Sequence, residues 1–298
     1  MLFPLLKGTL SLGGFYRIGH REGECEDLRE SWHLSRVKPP VETWKEEQLE
    51  PLASFRPRKC LEIWGERRQE VDVDVAVEES VNIILNGAAL CVLTASPYQQ
   101  RELAIGFLVA EGLVESFSDF LSVRQEDGNI ICESRERQAD RRTGCSACSD
   151  DGNLSHDLKP IRSDMRMKAS DVLRAAASLN DHAKVWRRTG ATHASIVCSK
   201  DGSILTACED ISRSSSVDKA VGAALIAGED LSSCALITSG RLSGVMVAKA
   251  ARSGFPVLIS KGAPMDSGVE LADRIGMTLV GFARSPKMYI YSGAERIA

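Results

Sequence analysis

Apolar positions follow a readable pattern from Lys59 onward. Val71–Val77, "VDVDVAV", alternates with period two, as a half-buried strand does. "VNIILNGAALCVL" predicts two strands around an Asn86-Gly87 turn, and "FLSVRQEDGNIICES" a second hairpin around Asp127-Gly128. Between them, "YQQRELAIGFLVAEGLV" spaces Leu103, Ile105, Phe107, Leu108 and Val109 for a helix that stops at Gly112. The second half has a different rhythm. "ASDVLRAAASLNDHA" predicts a helix with Ser170 as its N-cap, and "HASIVCSKDGSILTACED" a hairpin around Asp201-Gly202. Helices and short apolar strands then alternate: "SSVDKAVGAALIAGED", "CALITS", "LSGVMVAKAARSG", "PVLIS", "SGVELADRIG", "MTLVGFA". That order predicts a parallel, helix-covered sheet.

Residues 1–57 lack such a pattern and mix charge with proline in "VKPP" and "LEPLASFRP". They read as a disordered extension, in which Cys25, His20 and His33 are bystanders. An N-terminal α+β domain over 58–160 and an α/β domain over 161–298 follow.

Composition narrows the function classes. The chain has 298 residues, 43% hydrophobic and 26% charged, with 37 basic and 41 acidic side chains and a net charge of −4. Bulk nucleic-acid or anionic-membrane binding is disfavoured, and no apolar run is long enough to span a bilayer. Nine cysteines at irregular spacing do not make a disulfide framework, so a reducing cytoplasm is expected.

Candidate chemistry lies in two places. In an open α/β sheet ligands sit beyond the carboxyl ends of the parallel strands. Those ends carry "TSGR" (Thr238–Arg241), "SKGAP" (Ser260–Pro264) and "FARSPK" (Phe282–Lys287), with Arg241, Lys261, Arg284 and Lys287 among them. Three basic loops on one edge point to a phosphate-bearing ligand. No Walker A or G-x-G-x-x-G sequence is present, which disfavours an ATPase or an ordinary dinucleotide enzyme. The second place is Cys145-x-x-Cys148, in the loop-like "RRTGCSACSDDG". Zinc needs four ligands, and the local set would be Cys132, Cys145, Cys148 and His156, irregularly spaced. The deaminase zinc pattern fails because "HAS" at His193 lacks its glutamate. A thioredoxin-like site would follow a strand and open a helix. Spacing alone leaves metal binding, redox chemistry and sulfur transfer open. Arg141 and Arg142 favour a thiolate, while Asp140, Asp150 and Asp151 offset them. Cys91, Cys198, Cys208 and Cys234, on apolar strands, are expected as small core side chains. His193 is expected as a hydrogen-bonded residue lining the pocket, and Trp186 as packing between domains or on the preceding helix.

From Lys59 to the C-terminus the chain resembles the FdhD/NarQ sulfurtransferases that mature formate dehydrogenases. The likeness rests on "VAVEESVNIILNG", "RELAIGFLVAEGLV", "TGCSACS", "TGATHASIV", "EDISRSSSVDKAVGAAL", "SGRLSGVMVAKAARSGFPVLIS" and "VELADRIGMTLVGFAR". The resemblance implies a three-layer α/β/α, cytidine-deaminase-like C-terminal domain with a smaller N-terminal α+β domain. It also implies a cytoplasmic sulfur carrier that takes persulfide sulfur from a cysteine desulfurase and passes it to the molybdenum (or tungsten) bis-guanine-dinucleotide cofactor. The recipient is the formate dehydrogenase apoenzyme, and the carrier is a homodimer. No tightly held metal is expected. Cys145 matches the persulfide-bearing cysteine and Cys148 its companion. Phe282, Ala283, Arg284, Ser285, Pro286 and Lys287 match the cofactor-binding stretch. Ser239, Gly240, Arg241, Lys261, Arg213 and Lys219 complete the expected cofactor site. The alternatives are a non-catalytic cofactor chaperone and a structural zinc protein. Where the family reads E-D-V-G-R-H-N-A-x-D-K, this chain has "EDISRSSSVDK". Ser212, Ser214, Ser215 and Ser216 replace the Gly and the His-Asn-Ala run, Val245 stands where a glutamate is common, and "KGAPMDSG" replaces a Ser-Ala-Pro-Thr-Ser pattern. Serine supplies neither ring stacking nor an amide, so altered cofactor recognition is expected.

Overall fold

The computed structural model describes residues 54–135 and 158–298. Cys145, Cys148, His156 and residues 1–53 lie outside the described residues.

The first described element is a two-stranded antiparallel ribbon, β1 (Phe55–Trp64) with β2 (Arg67–Ala76). The boundary expected at residue 57 therefore falls inside a strand. Alternation in β2 predicts one buried face, but Val73 and Val75 are exposed, as are Leu61, Ile63 and Trp64 on β1. Period two reports strand geometry and does not say whether anything covers the face. At its base the ribbon is held by Arg188, which pairs with Asp74 at 2.6 Å and lies 4.3 Å over the Phe55 ring.

The next layer is a four-stranded sheet, β3 (Glu79–Leu85), β4 (Ala88–Ala95), β5 (Phe120–Glu126) and β6 (Asn129–Ser134), in the order β4-β3-β6-β5. Its two hairpins turn at Asn86-Gly87 and Asp127-Gly128, all four residues with positive φ, the conformation that Asn-Gly and Asp-Gly accept at little cost. Helix α1 (Gln100–Ala110) packs against this sheet. Leu103, Ile105, Phe107 and Leu108 are all buried, because one side of α1 meets this sheet and the other meets the next layer. Gly112, at φ 74°, ends it.

The larger sheet holds β7 (His193–Cys198), β8 (Ile204–Asp210), β9 (Ala235–Thr238), β10 (Val257–Ser260), β11 (Thr278–Arg284) and β12 (Lys287–Ser292), in the order β12-β11-β10-β9-β7-β8. Strands β9, β10 and β11 are parallel, as the alternation of helix and strand requires. The flanking pairs β7/β9, β7/β8 and β11/β12 are antiparallel. The sheet is thus mixed, and β12 starts at the end of the "FARSPK" stretch, in residues for which no strand was expected. Helices α4 (Arg213–Ile226), α5 (Gly244–Arg252) and α6 (Asp266–Ile275) cover one face, around Val221, Val247 and Leu271. Helix α2 (Ala169–His182) covers the other through Val172, Ala176 and Leu179, and the short α3 (Lys184–Thr189) follows it. The result is the expected α/β/α sandwich. The N-cap of α2 is Lys168 rather than Ser170, which sits within the first turn. No helix among the described residues is long and apolar enough to cross a membrane.

The two layers meet where α1 crosses α4. A Cβ on Gly106 would lie 1.7 Å from the Asp218 carbonyl oxygen, and one on Gly222 would lie 2.0 Å from that of Glu102. Only hydrogen at both positions lets the backbones approach this closely.

Candidate functional site

The carboxyl ends of the three parallel strands are stitched together by backbone and hydroxyl bonds. The Ser260 Oγ donates to the Gly240 carbonyl at 2.5 Å and accepts the Gly262 N–H at 2.8 Å. The Gly240 N–H donates to Thr238 Oγ1 at 3.1 Å, and the Phe282 N–H to the Gly262 carbonyl at 3.0 Å. A Cβ on Gly262 would lie 3.1–3.3 Å from the backbone of Gly240 and Ser239, a tight fit between the β9 and β10 ends. Arg284 Nε then donates to the Lys261 carbonyl at 3.0 Å, and Lys261 Nζ to Asn180 Oδ1 at 3.1 Å. These bonds aim both cations into one cavity.

That cavity, of about 410 Å³, is lined by Lys261, Arg284, Ser239, His193, Asn180 and Trp186, among others. Burial, and then the neighbouring Arg284, hold the Lys261 ammonium below its ordinary range. An anion entering here gains two cations that are already crowded together. Trp186 is 43% exposed. Instead of packing between domains it stands at the cavity wall. The Glu209 carboxylate places it, accepting the Val185 and Trp186 N–H groups at 2.9 Å each and the Thr192 hydroxyl at 2.9 Å.

A second cavity, of about 380 Å³, has His193 in its wall as well. It is lined by Arg213, Ser212, Ser214, Ser243 and Val245. Three of the departures from the family pattern, Ser212, Ser214 and Val245, line it. Ser212 caps α4 by accepting the Ser215 N–H at 3.4 Å. Ser216 is buried, bonding to the Arg213 carbonyl at 2.9 Å and to Ser195 Oγ at 2.9 Å. The serine run has thus become part helix cap, part buried hydroxyl network and part cavity wall.

The expected cofactor residues are distributed unevenly. Ser239, Lys261 and Arg284 share the first cavity, and Arg213 lines the second. Gly240 packs beneath Arg213, where a Cβ would come within 2.9 Å of the arginine Cβ. Arg241 is exposed close enough to His193 to act on its charge. Ala283 is buried in the core. Phe282 turns outward at φ 50° and meets Tyr289 edge-on at 5.9 Å, and Lys287 Nζ lies 5.7 Å from the Tyr289 ring. Ser285 and Pro286 form the β11–β12 turn. Lys219 lies elsewhere: fully buried, it pairs with Asp210 at 2.7 Å and donates to the Ser96 carbonyl at 3.3 Å. Asn180 and Glu209 were not singled out from sequence, and Trp186 was expected there only as a packing residue. The one available signal was an aromatic in a basic stretch just before Thr189-Gly190.

Sequence and fold comparisons show the family and the fold. The family model for the FdhD/NarQ family matches residues 76–298, more than half of the chain. The chain belongs to the FdhD/NarQ family. It is 34% identical over 250 residues to the "Sulfur carrier protein FdhD" of Methanothermobacter thermautotrophicus, covering 83% of this chain and all of that one. It is 32% identical to the protein of the same name from Shouchella clausii, covering 76% and 91%. The crystal structure of a formate dehydrogenase accessory protein from Desulfotalea psychrophila superposes with a TM-score of 0.71 at 25% identity, over 82% of this chain and 99% of that one.

Of the residues in the zinc alternative, Cys132 is buried in β6, where burial pushes its thiol up to about 12, and Cys145, Cys148 and His156 lie outside the described residues. Cys198 and Cys208 are likewise buried, their thiols pushed up to about 12, and Cys234 is buried ahead of β9. All three act as small apolar side chains.

Proposed function

We propose that this FdhD/NarQ chain is a sulfur carrier for the maturation of a formate dehydrogenase. Sulfane sulfur from a cysteine desulfurase is taken up as a persulfide on Cys145, with Cys148 as an alternate or resolving thiol. It passes to a molybdenum or tungsten bis-guanine-dinucleotide cofactor, the substrate of the transfer. Transfer moves the outer sulfur of the Cys145 persulfide to the acceptor and returns Cys145 to a thiolate, so the protein acts as a sulfurtransferase. The reading places it in the cytoplasm as a homodimer. One observation supports it most: the ends of β9, β10 and β11 are bonded so that Lys261 and Arg284 face one cavity beside the Trp186 ring. Paired cations suit a diphosphate, and an exposed indole suits the flat face of a nucleobase.

Incubation with a cysteine desulfurase and cysteine, followed by intact-mass and peptide analysis, tests the proposal. The expected gain is one sulfur, about 32 Da, on the peptide holding Cys145 and absent from Cys145→Ala. The exposed Cys60 is replaced by serine beforehand, so that a gain cannot arise there. No gain, or a gain that survives replacement of both Cys145 and Cys148 by alanine, sinks the sulfur-carrier reading; a gain that moves to Cys148 in Cys145→Ala overturns only the choice of Cys145. Maturation of the client by Cys145→Ala would favour a cofactor chaperone.

A further inference from the structure

His193 begins β7 and forms part of the wall of both cavities. Its Nδ1 lies 3.1 Å from Ser239 Oγ. That hydroxyl accepts the Ala194 N–H at 3.1 Å and keeps its own proton available to donate to Nδ1. Among the described residues the acceptor within reach is Nδ1. A ring whose Nδ1 accepts carries its proton on Nε2.

The adjacent carboxylate does not change this. Asp210 is the cross-strand partner of His193, but its oxygens are occupied. They accept the Ser96 N–H at 2.9 Å, the Ser212 N–H at 2.8 Å and the Lys219 ammonium at 2.7 Å. The other charges near the ring are Arg213 and Arg241, both cationic. Burial, and then Arg213, hold the imidazole below its ordinary pKa; Asp210 pulls weakly the other way, and Arg241 adds to the lowering. The ring is therefore uncharged at neutral pH.

We propose that His193 is a ligand-binding residue that offers its Nε2–H as a hydrogen-bond donor from the wall shared by the two cavities, with Ser239 as the residue that sets the tautomer. This rests on the cofactor reading above, and names within that site the group that reads an acceptor atom between the Lys261/Arg284 side and the Arg213 side. The two cations of the first cavity supply attraction. The uncharged donor supplies direction, since it rewards an acceptor placed on the wall without adding a third positive charge.

The test uses the full chain and GDP as the probe. Glutamine places its amide N–H near the position of Nε2, and asparagine places its own near Nδ1. His193→Gln is expected to hold GDP within about threefold of wild type. His193→Asn is expected to lose about tenfold, as for one lost hydrogen bond to a charged group. Nitrogen-15 NMR of the wild-type protein reads the tautomer without any substitution and should show Nε2–H at pH 7.5, shifting toward a mixture in Ser239→Ala. Equal losses in His193→Gln and His193→Asn, or a wild-type proton on Nδ1, overturn the His193 assignment while GDP binding by wild type keeps the cofactor reading standing. Wild-type protein that takes no GDP overturns both.

Discussion

Lys249 lies between two carboxylates, 2.8 Å from Asp218 Oδ1 and 2.7 Å from Glu111 Oε1, and all three side chains are buried. Two anions around one cation leave a net negative charge in the core, where desolvation is costly. The Asp218 carboxyl responds. Burial, outweighing the pull of Lys249, raises it to about 6. For Lys249 burial works downward and is outweighed by Asp218 and Glu111, so the ammonium stays protonated. A carboxyl that titrates higher in the folded protein than in the unfolded chain adds stability that is complete below about pH 4, the unfolded value. That contribution is lost as pH rises through about 6. Wild type is therefore expected to gain stability relative to Asp218→Asn as pH falls from 7 to 5, on the order of 1 kcal/mol. Urea unfolding of both proteins at the two pH values measures it. A constant difference, or a gain toward alkaline pH, would show that Asp218 is ionised throughout. The same residues explain part of the family pattern. Asp210, Asp218 and Lys219, which this chain keeps, are core ion-pair members here and lie outside both cavities.

At the scale of elements, the α1–α4 crossing decides how the four-stranded layer sits on the large sheet. Gly106 and Gly222 face each other's helix with no room for a methyl group, and backbone cannot yield as a flexible side chain can. Gly106→Ala is expected to destabilise by more than about 2 kcal/mol, against the ~1 kcal/mol gained from alanine's helix propensity. Chemical denaturation of Gly106→Ala beside a control on an exposed helix position, such as Ser170→Ala, separates the clash from propensity. A stabilised Gly106→Ala would mean the helices slide apart freely. Elements with a strong local cause were legible in the sequence. The Asn86-Gly87 and Asp127-Gly128 hairpins, the stop at Gly112 and the β9-α5-β10-α6-β11 succession all follow from backbone chemistry and apolar period. Features set by tertiary contact were not. Ser170 looks like a cap, but the chain enters α2 two residues earlier and Lys168 takes the position. Strand β12 was hidden because "FARSPK" supplies the turn and "MYIYS" is largely exposed, so its pattern lacks an apolar face.

Across the whole molecule, cohesion is uneven. The four-stranded layer and the large sheet share buried surface and the Lys249–Glu111–Asp218 cluster, which ties α1, α4 and α5 into one unit. The candidate site belongs to that rigid part. Its cations were legible because the ends of parallel strands collect ligands wherever the sheet is open, whereas the part played by Trp186 depended on α3, whose N-terminal N–H groups are held by a carboxylate 23 residues away. The β1–β2 ribbon is built differently. Its strands pair with each other, Trp64 is 79% exposed near the tip, and its tie to α3 runs through Arg188 to Asp74 and Phe55. A two-stranded ribbon without a covered face is marginal in water, so it should open without unfolding the rest. Native-state hydrogen exchange is expected to show the Leu61–Val71 amides exchanging through local openings, orders of magnitude faster than those of α1 and α4, which should exchange near the global limit. Arg188→Ala should extend the fast zone toward Phe55 and Ala76 while leaving α4 unchanged. If ribbon and α4 amides exchanged at one common rate, the ribbon would be held by contacts beyond those of Arg188, and the division of the molecule into a rigid body and a loosely attached arm would fail.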